Sequence, residues 1–446
     1  MPPLARKLTT ALLVLASAAA FFWLALSTLP NEVKLPALLL VLYLSGEGLK
    51  RATGLIGYGP FLLWKGKGGF SLMHHFARHP RFFREFNDFG LSLCFGLPYG
   101  WYLFRGQMRK LLAHAVLCAL LFYWLQMGVV PQFENLRGPL LAVGLLAGLW
   151  GFGLLFVILH AWTIATTPSA PAGVMPVVPG ITIPFAEGLI AIFIAAVAHE
   201  LSHGVIALVE RLRVESSGGI FLGFLPVGAF VEPDEEQFKR TQLQKKRRVL
   251  VAGSAANFAI FLLAVPVTAL LAGVTPALLD GIRVHEVNAT GASAGVLSPG
   301  DLILAAGGRA VKSTLDLSQE LARLEAGDVM ELRVQRAGGE TTARVRLGEN
   351  KRLGVTLENL PRAGYEWLLY AAAFLLSTVA LTGFLNFALS TVNILPLFIT
   401  DGHRLLYEEL LARLGPKREH DAKLLSKVIG FATLALLLVN ALPLLR

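Results

Sequence analysis

Charge is scarce in this chain: 16% of its 446 residues are Asp, Glu, Lys or Arg, against about 25% in an average soluble domain. Cysteine is nearly missing as well. Cys94 and Cys118, both in apolar surroundings, provide neither a disulfide framework nor a cysteine-based zinc site. No internal repeat or low-complexity tract is evident. The basic excess, 40 Lys and Arg against 30 Asp and Glu, is confined to short loops between apolar runs. That is the positive-inside pattern beside anionic lipid headgroups, not a nucleic-acid surface, so no nucleic-acid partner is expected.

What the chain has in quantity is apolar sequence, 54% of its residues. Runs near the length needed to span a bilayer fall at about 8–29, 36–57, 91–104, 110–130, 139–165, 184–209, 249–273, 365–392 and 424–444. The third is short and contains Pro98, which suits a re-entrant or interfacial segment. The charged start before residue 8 resembles that of a signal peptide, but the run after it is long enough to be an uncleaved first helix.

Loop charges orient this bundle. Residues 60–90 carry Lys65, Lys67, Arg78, Arg81 and Arg84 against Glu85 and Asp88, and residues 239–248 carry six basic residues and no acid. Both loops are expected to be cytoplasmic. Counting spans puts the N-terminus and the 401–423 loop with them. It also puts the basic loop Arg105 to Lys110 on the opposite side, against the charge rule. The cluster His74, His75 and His79 reads as part of a basic juxtamembrane loop and not as a metal site.

Between about Gly281 and Asn359 the composition changes. Val329 to Arg336 and Thr342 to Leu347 alternate apolar with polar residues around Gly338-Gly339, the pattern of an antiparallel hairpin. A small β-rich domain inserted between two spans follows, extracytoplasmic by the same count.

The sharpest chemical signal is His199-Glu200-Leu201-Ser202-His203, inside an apolar helix. Positions i and i+4 share a helix face, so both imidazoles can hold one metal ion while Glu200 reaches its water. Three ionisable groups at membrane depth are costly unless functional. A catalytic zinc needs a third protein ligand and an open position. Asp401, at the end of the apolar run Asn393 to Thr400, is one candidate, though it also suits a helix N-cap or a solvated loop. His403, two residues on, competes for the same role.

The sequence resembles the intramembrane site-2 metalloproteases. His199-Glu200-Leu201-Ser202-His203-Gly204 is similar to that family's zinc helix, and Gly253-Ser254-Ala255-Ala256-Asn257 to its Gly-x-x-x-Asn element. Ala294-Gly295-Val296-Leu297-Ser298-Pro299-Gly300-Asp301 resembles a PDZ segment, and Asn393-x-x-Pro396 through Asp401-Gly402 the family's zinc-ligand loop. These features cover roughly residues 184–420. Two departures stand out. Phe398-Ile399-Thr400 occupy the place of a second proline, and Ala388 the place of a further asparagine, the nearest being Asn386.

The resemblance implies a polytopic α-helical membrane protein with an inserted PDZ-like domain and a membrane-dipping β-hairpin at Gly218 to Val231. Residues 1–180 form N-terminal membrane helices of unassigned role; 181–275 and 363–446 form the catalytic core, and 281–359 the PDZ-like domain. His199, His203 and Asp401 are the implied zinc ligands, Glu200 the general base, and Asn393 and Asn257 the substrate-binding or supporting residues. The implied activity is cleavage of transmembrane protein substrates in the lipid bilayer of a plasma membrane, with peptide tails as possible ligands of the PDZ-like domain. The alternative is a non-catalytic receptor or transporter with a structural zinc, which leaves Glu200 without a use.

Overall fold

The computed structural model describes residues 3–129, 137–167, 169–336, 338–349 and 351–445, so residue 130 of the expected 110–130 span lies outside it. The chain divides into two compact units, residues 1–264 with 381–446, and residues 265–380. Among the described residues, seven helices are long and apolar enough to cross a membrane.

The first unit opens with α1 (Pro3–Leu26) and α2 (Asn31–Thr53), then β1 (Ile56–Tyr58) and β2 (Phe61–Gly66). Next come α3 (Phe70–Ala77), α4 (Pro80–Phe95), α5 (Leu97–Phe104), α6 (Met108–Val129) and α7 (Arg137–Thr166). The zinc-type motif lies on α8 (Phe185–Val209), followed by β3 (Val214–Leu222), β4 (Leu225–Pro233), α9 (Glu235–Arg240) and α10 (Leu243–Val274).

One expected span is corrected, and the 91–104 segment takes a broken form. α2 carries Glu47, Lys50 and Arg51, stops at Thr53, and gives way to a strand within the expected 36–57 run. The expected 91–104 segment is the end of α4 and the whole of α5, broken at Gly96 (φ 87°). The chain folds back there: Lys110, at the start of α6, pairs with Asp88 of α4 at 2.5 Å. Asp88 also receives Arg248 of α10 at 2.7 Å, so the Arg105–Lys110 loop lies at the same end of the unit as residues 239–248. α7 is likewise not one straight rod, since Gly148 (φ 64°, ψ −159°) interrupts it.

The 60–90 segment is not a loop but strand, helix and helix, and β2 joins the expected hairpin. β3 and β4 pair antiparallel around Gly223, and β2 pairs with β3 (Trp64 opposite Gly219), giving the order β1-β2-β3-β4. Gly218 is required at this junction, because a Cβ there would lie 1.8 Å from the Trp64 carbonyl oxygen. With β3 covered, β4 is the edge strand. The hairpin's tip packs on the first two helices, where Phe21, Leu38, Leu42 and Leu225 form a buried cluster.

The six basic residues of 239–248 are not all directed at headgroups. Lys246 pairs with Glu408 (2.8 Å), Arg247 with Glu409 (2.5 Å), and Arg248 with Asp88 and Glu210 (2.7 and 3.1 Å), all largely buried. Buried pairs of this kind add little net stability but fix one arrangement, and stripping one partner costs about 3–5 kcal/mol.

The second unit holds β5 (Leu279–Val287), β6 (Leu302–Ala306), β7 (Arg309–Ala310), α11 (Thr314–Leu321), β8 (Val329–Arg336), β9 (Gly339–Arg346) and β10 (Val355–Pro361). The strand order is β10-β5-β6-β8-β9 with β7 on β6, and β8–β9 is the expected hairpin. Alternate residues Met330, Leu332 and Val334 of β8 enter a core with Ile282, Val284 and Ile303. Asp301, 4% exposed, is held by Arg336 at 2.7 Å. Burial alone would raise its pKa; Arg336 and the Ser298 N–H hold it below the usual carboxylate range. After this unit's strands come α12 (Glu366–Ile394), α13 (Asp401–Leu414) and α14 (Glu419–Ala441).

Candidate metal centre

α8 places His199 and His203 one turn apart, 7% and 8% exposed, with ring centroids 4.9 Å from each other. Each ring is fixed through its Nδ1. His199 Nδ1 lies 2.8 Å from Asn257 Oδ1, and His203 Nδ1 2.7 Å from the Val249 carbonyl oxygen. Both acceptors come from α10. Donation from Nδ1 leaves each Nε2 unprotonated, the tautomer a metal ligand needs. Close approach of α10 depends on Gly253, where a Cβ would sit 2.3 Å from the His199 ring.

Asp401 begins α13. Thr400 caps that helix, its hydroxyl accepting from the His403 N–H and donating to the Leu395 carbonyl at 2.6 Å. The turn after α12 is thereby closed, and the Asp401 carboxylate faces the histidines. Asp401 Oδ2 is 3.2 Å from His199 Nε2 and 3.1 Å from His203 Nε2. Among the described residues these three side chains form the group able to hold a metal ion, their ligand atoms all within 4.8 Å of one another. Two ligands at about 2.05 Å from a tetrahedral zinc lie about 3.3 Å apart, close to the observed separations. The donor set and its backing hydrogen bonds fit zinc. His403 packs its ring against Phe398 and lies outside this group.

Asn393, in the last turn of α12, donates from Nδ2 to Asp401 Oδ2 at 2.5 Å and reaches His199 Nε2 at 2.9 Å. Asn257, fully buried, donates to the Ala195 carbonyl (3.1 Å) and to Asn386 Oδ1 (2.9 Å). Asn386 is thus a third member of the chain His199–Asn257–Asn386. Its place in the sequence, two residues before the expected Ala388 position, concealed that role. Glu200 accepts from the backbone N–H of Val231 at 3.0 Å, tying it to the β4 edge. Glu200, His203, Asp401, Val231, Phe238 and Arg404 line a cavity of about 120 Å³.

Fold and site define a polytopic membrane protein with a buried His-Glu-x-x-His metal centre completed by a distant aspartate. The chain belongs to Peptidase family M50, whose profile matches residues 187–437. It is 29% identical over 251 residues to an uncharacterised protein of Methanocaldococcus jannaschii, a match covering 56% of this chain and 63% of that relative's length. Solved structures similar to part of the chain include the PDZ domain of an SdrC-like protein from Listeria monocytogenes (26% identity, 18% of this chain, 87% of that one, TM-score 0.17). The second domain of another Listeria protein is also similar (20% identity, 20% and 88% coverage, TM-score 0.16).

Proposed function

We propose that the protein is an intramembrane zinc metalloprotease that hydrolyses peptide bonds in or near transmembrane segments of membrane-protein substrates. The observation carrying this reading is the convergence of His199 Nε2, His203 Nε2 and Asp401 Oδ2, with Glu200 beside them. Zinc, when bound, supplies Lewis acidity and lowers the pKa of water to roughly 7. Glu200 accepts the water proton at its carboxylate and passes it to the leaving amine. Asn393 steadies the Asp401 carboxylate through its amide.

Substrate presentation falls to β4. The Val231 N–H points away from β3, toward Glu200, and the two-residue period of a strand sends that of Ala229 the same way. A substrate helix hides its carbonyls in internal hydrogen bonds, so it must unwind locally. Pairing as an added strand on this edge satisfies the freed backbone groups and brings the extended segment to the glutamate. Purified protein in lipid should cut a model single-span substrate, lose this activity to a chelator, and recover it with zinc. Cleavage indifferent to the chelator would refute the assignment.

The inserted unit is assigned to the extracytoplasmic side of a plasma membrane, where it would bind peptide tails and filter substrates. The basic residues at 239–248 support this orientation. Cysteines introduced at Gln242 and Gln319, both exposed, should label from opposite faces, Gln242→Cys from the cytoplasm. Labelling of both from one face would overturn it.

A further inference from the structure

α13, α14 and the loop before Asp401 enclose a second, open cavity of about 610 Å³, lined in part by Phe398, Arg404, Tyr407, Lys423, Ser426 and Lys427. The catalytic reading gives it no use. Three cations converge on it. Lys423 is paired with Glu419 at 2.6 Å and Arg404 with Glu235 at 2.7 Å, both pairs on the surface, where such pairs are held weakly. Lys427 has no acidic partner among the described residues. The acid on the wall, Asp401, is engaged by the two histidines. Beside these cations the rim is apolar. Ile399 is 96% exposed and Phe431 62% exposed, and Phe398 packs edge-on against Phe431 at 4.7 Å. α14 itself is among the helices able to cross a membrane.

We propose that this cavity is a headgroup site for an anionic phospholipid, with the phosphate among Lys423, Lys427 and Arg404 and the hydrocarbon along Ile399 and Phe431. A charged head and an apolar tail are what basic residues at the start of a membrane helix, flanked by uncovered apolar side chains, are suited to receive. Asp401 and Arg404 line both this cavity and the one beside Glu200. The phosphate competes with Glu235 for Arg404, so headgroup occupancy is felt at the rim of the catalytic cavity.

The test is native mass spectrometry of the full chain in detergent with phosphatidylglycerol, phosphatidylcholine or inorganic phosphate. Phosphatidylglycerol should be retained over phosphatidylcholine, and Lys423→Gln/Lys427→Gln should weaken its retention by about thirtyfold, the share of two charges near an anionic surface. Lys427→Gln alone should weaken it by about fivefold, and Lys417→Gln, outside the lining, should not. Thermal unfolding of each variant checks that it is folded. Equal retention of both lipids, or an unchanged folded double variant, would overturn the site. So would equal loss in Lys417→Gln, which signifies diffuse attraction. Inorganic phosphate displacing phosphatidylglycerol at equal concentration would assign the cavity to a free anion instead. None of these readouts requires proteolysis, so they stand or fall separately from the enzymatic reading.

Discussion

Glu200→Gln is expected to keep about one zinc per chain while turnover falls by about two to four orders of magnitude, the usual share of general acid–base catalysis. The substitution preserves the side chain's length and its place in the cavity with His203 and Asp401. It also preserves the hydrogen bond to β4, because the amide oxygen of Gln can accept from Val231 N–H as the carboxylate does at 3.0 Å. Only the capacity to take a proton is removed. The metal group is untouched, since its donors are His199, His203 and Asp401. Zinc measured by inductively coupled plasma methods and cleavage of a single-span substrate separate the two quantities. Full proteolysis by Glu200→Gln would refute the base assignment; a variant that has lost its zinc would show that Glu200 acts on metal retention.

The parts of this arrangement visible in sequence are those carried by local spacing or by a charge where charge is rare. His199 and His203 meet because four residues make about one helical turn, a relation that needs no tertiary information. Asp401 stands out as the lone acid between Glu366 and Glu408. The inserted unit showed itself by strict alternation, and its β8–β9 pairing runs unbroken from Val329–Arg346 to Arg336–Gly339.

What stayed hidden was non-local. Nothing around Phe61–Gly66 signals that its partner lies some 150 residues on, at Trp64 opposite Gly219. The run Lys245 to Arg248 looked unpaired because Asp88, Glu210, Glu408 and Glu409 are remote in the chain, and distance along the chain carries no sign of ion pairing. Apolar content alone also misplaced one span. A bilayer tests a segment's length and its charges together, and α2 fails on Glu47, Lys50 and Arg51. The run at 91–104, whose Pro98 already suited a re-entrant or interfacial segment, is divided at Gly96. The N-terminal helices, which had no assigned role, supply the strand that closes one edge of the sheet and the helices that hold its tip. Through Asp88 and Arg84 they also anchor the ends of α8 and α10 that flank the metal group.

Asp401→Ala should act in the opposite sense to Glu200→Gln, with zinc occupancy and activity falling together. Removing the carboxylate leaves His199 and His203 as the protein donors, whereas a catalytic zinc ordinarily has three. The loss extends further, because Asn393 Nδ2 then faces no carboxylate across the 2.5 Å contact it makes in the intact site. The backbone should survive, since the α13 cap is formed by Thr400 and not by Asp401. Asp401→Asn refines the comparison. It restores the shape and one oxygen donor but not the charge, so it should retain more metal than Asp401→Ala. His403→Ala is the control: its ring packs on Phe398, outside the ligand group, and the variant should keep its zinc. Metal analysis of the three proteins after dialysis against a weak chelator decides the matter. Zinc lost from His403→Ala and kept by Asp401→Ala would transfer the third-ligand role to His403.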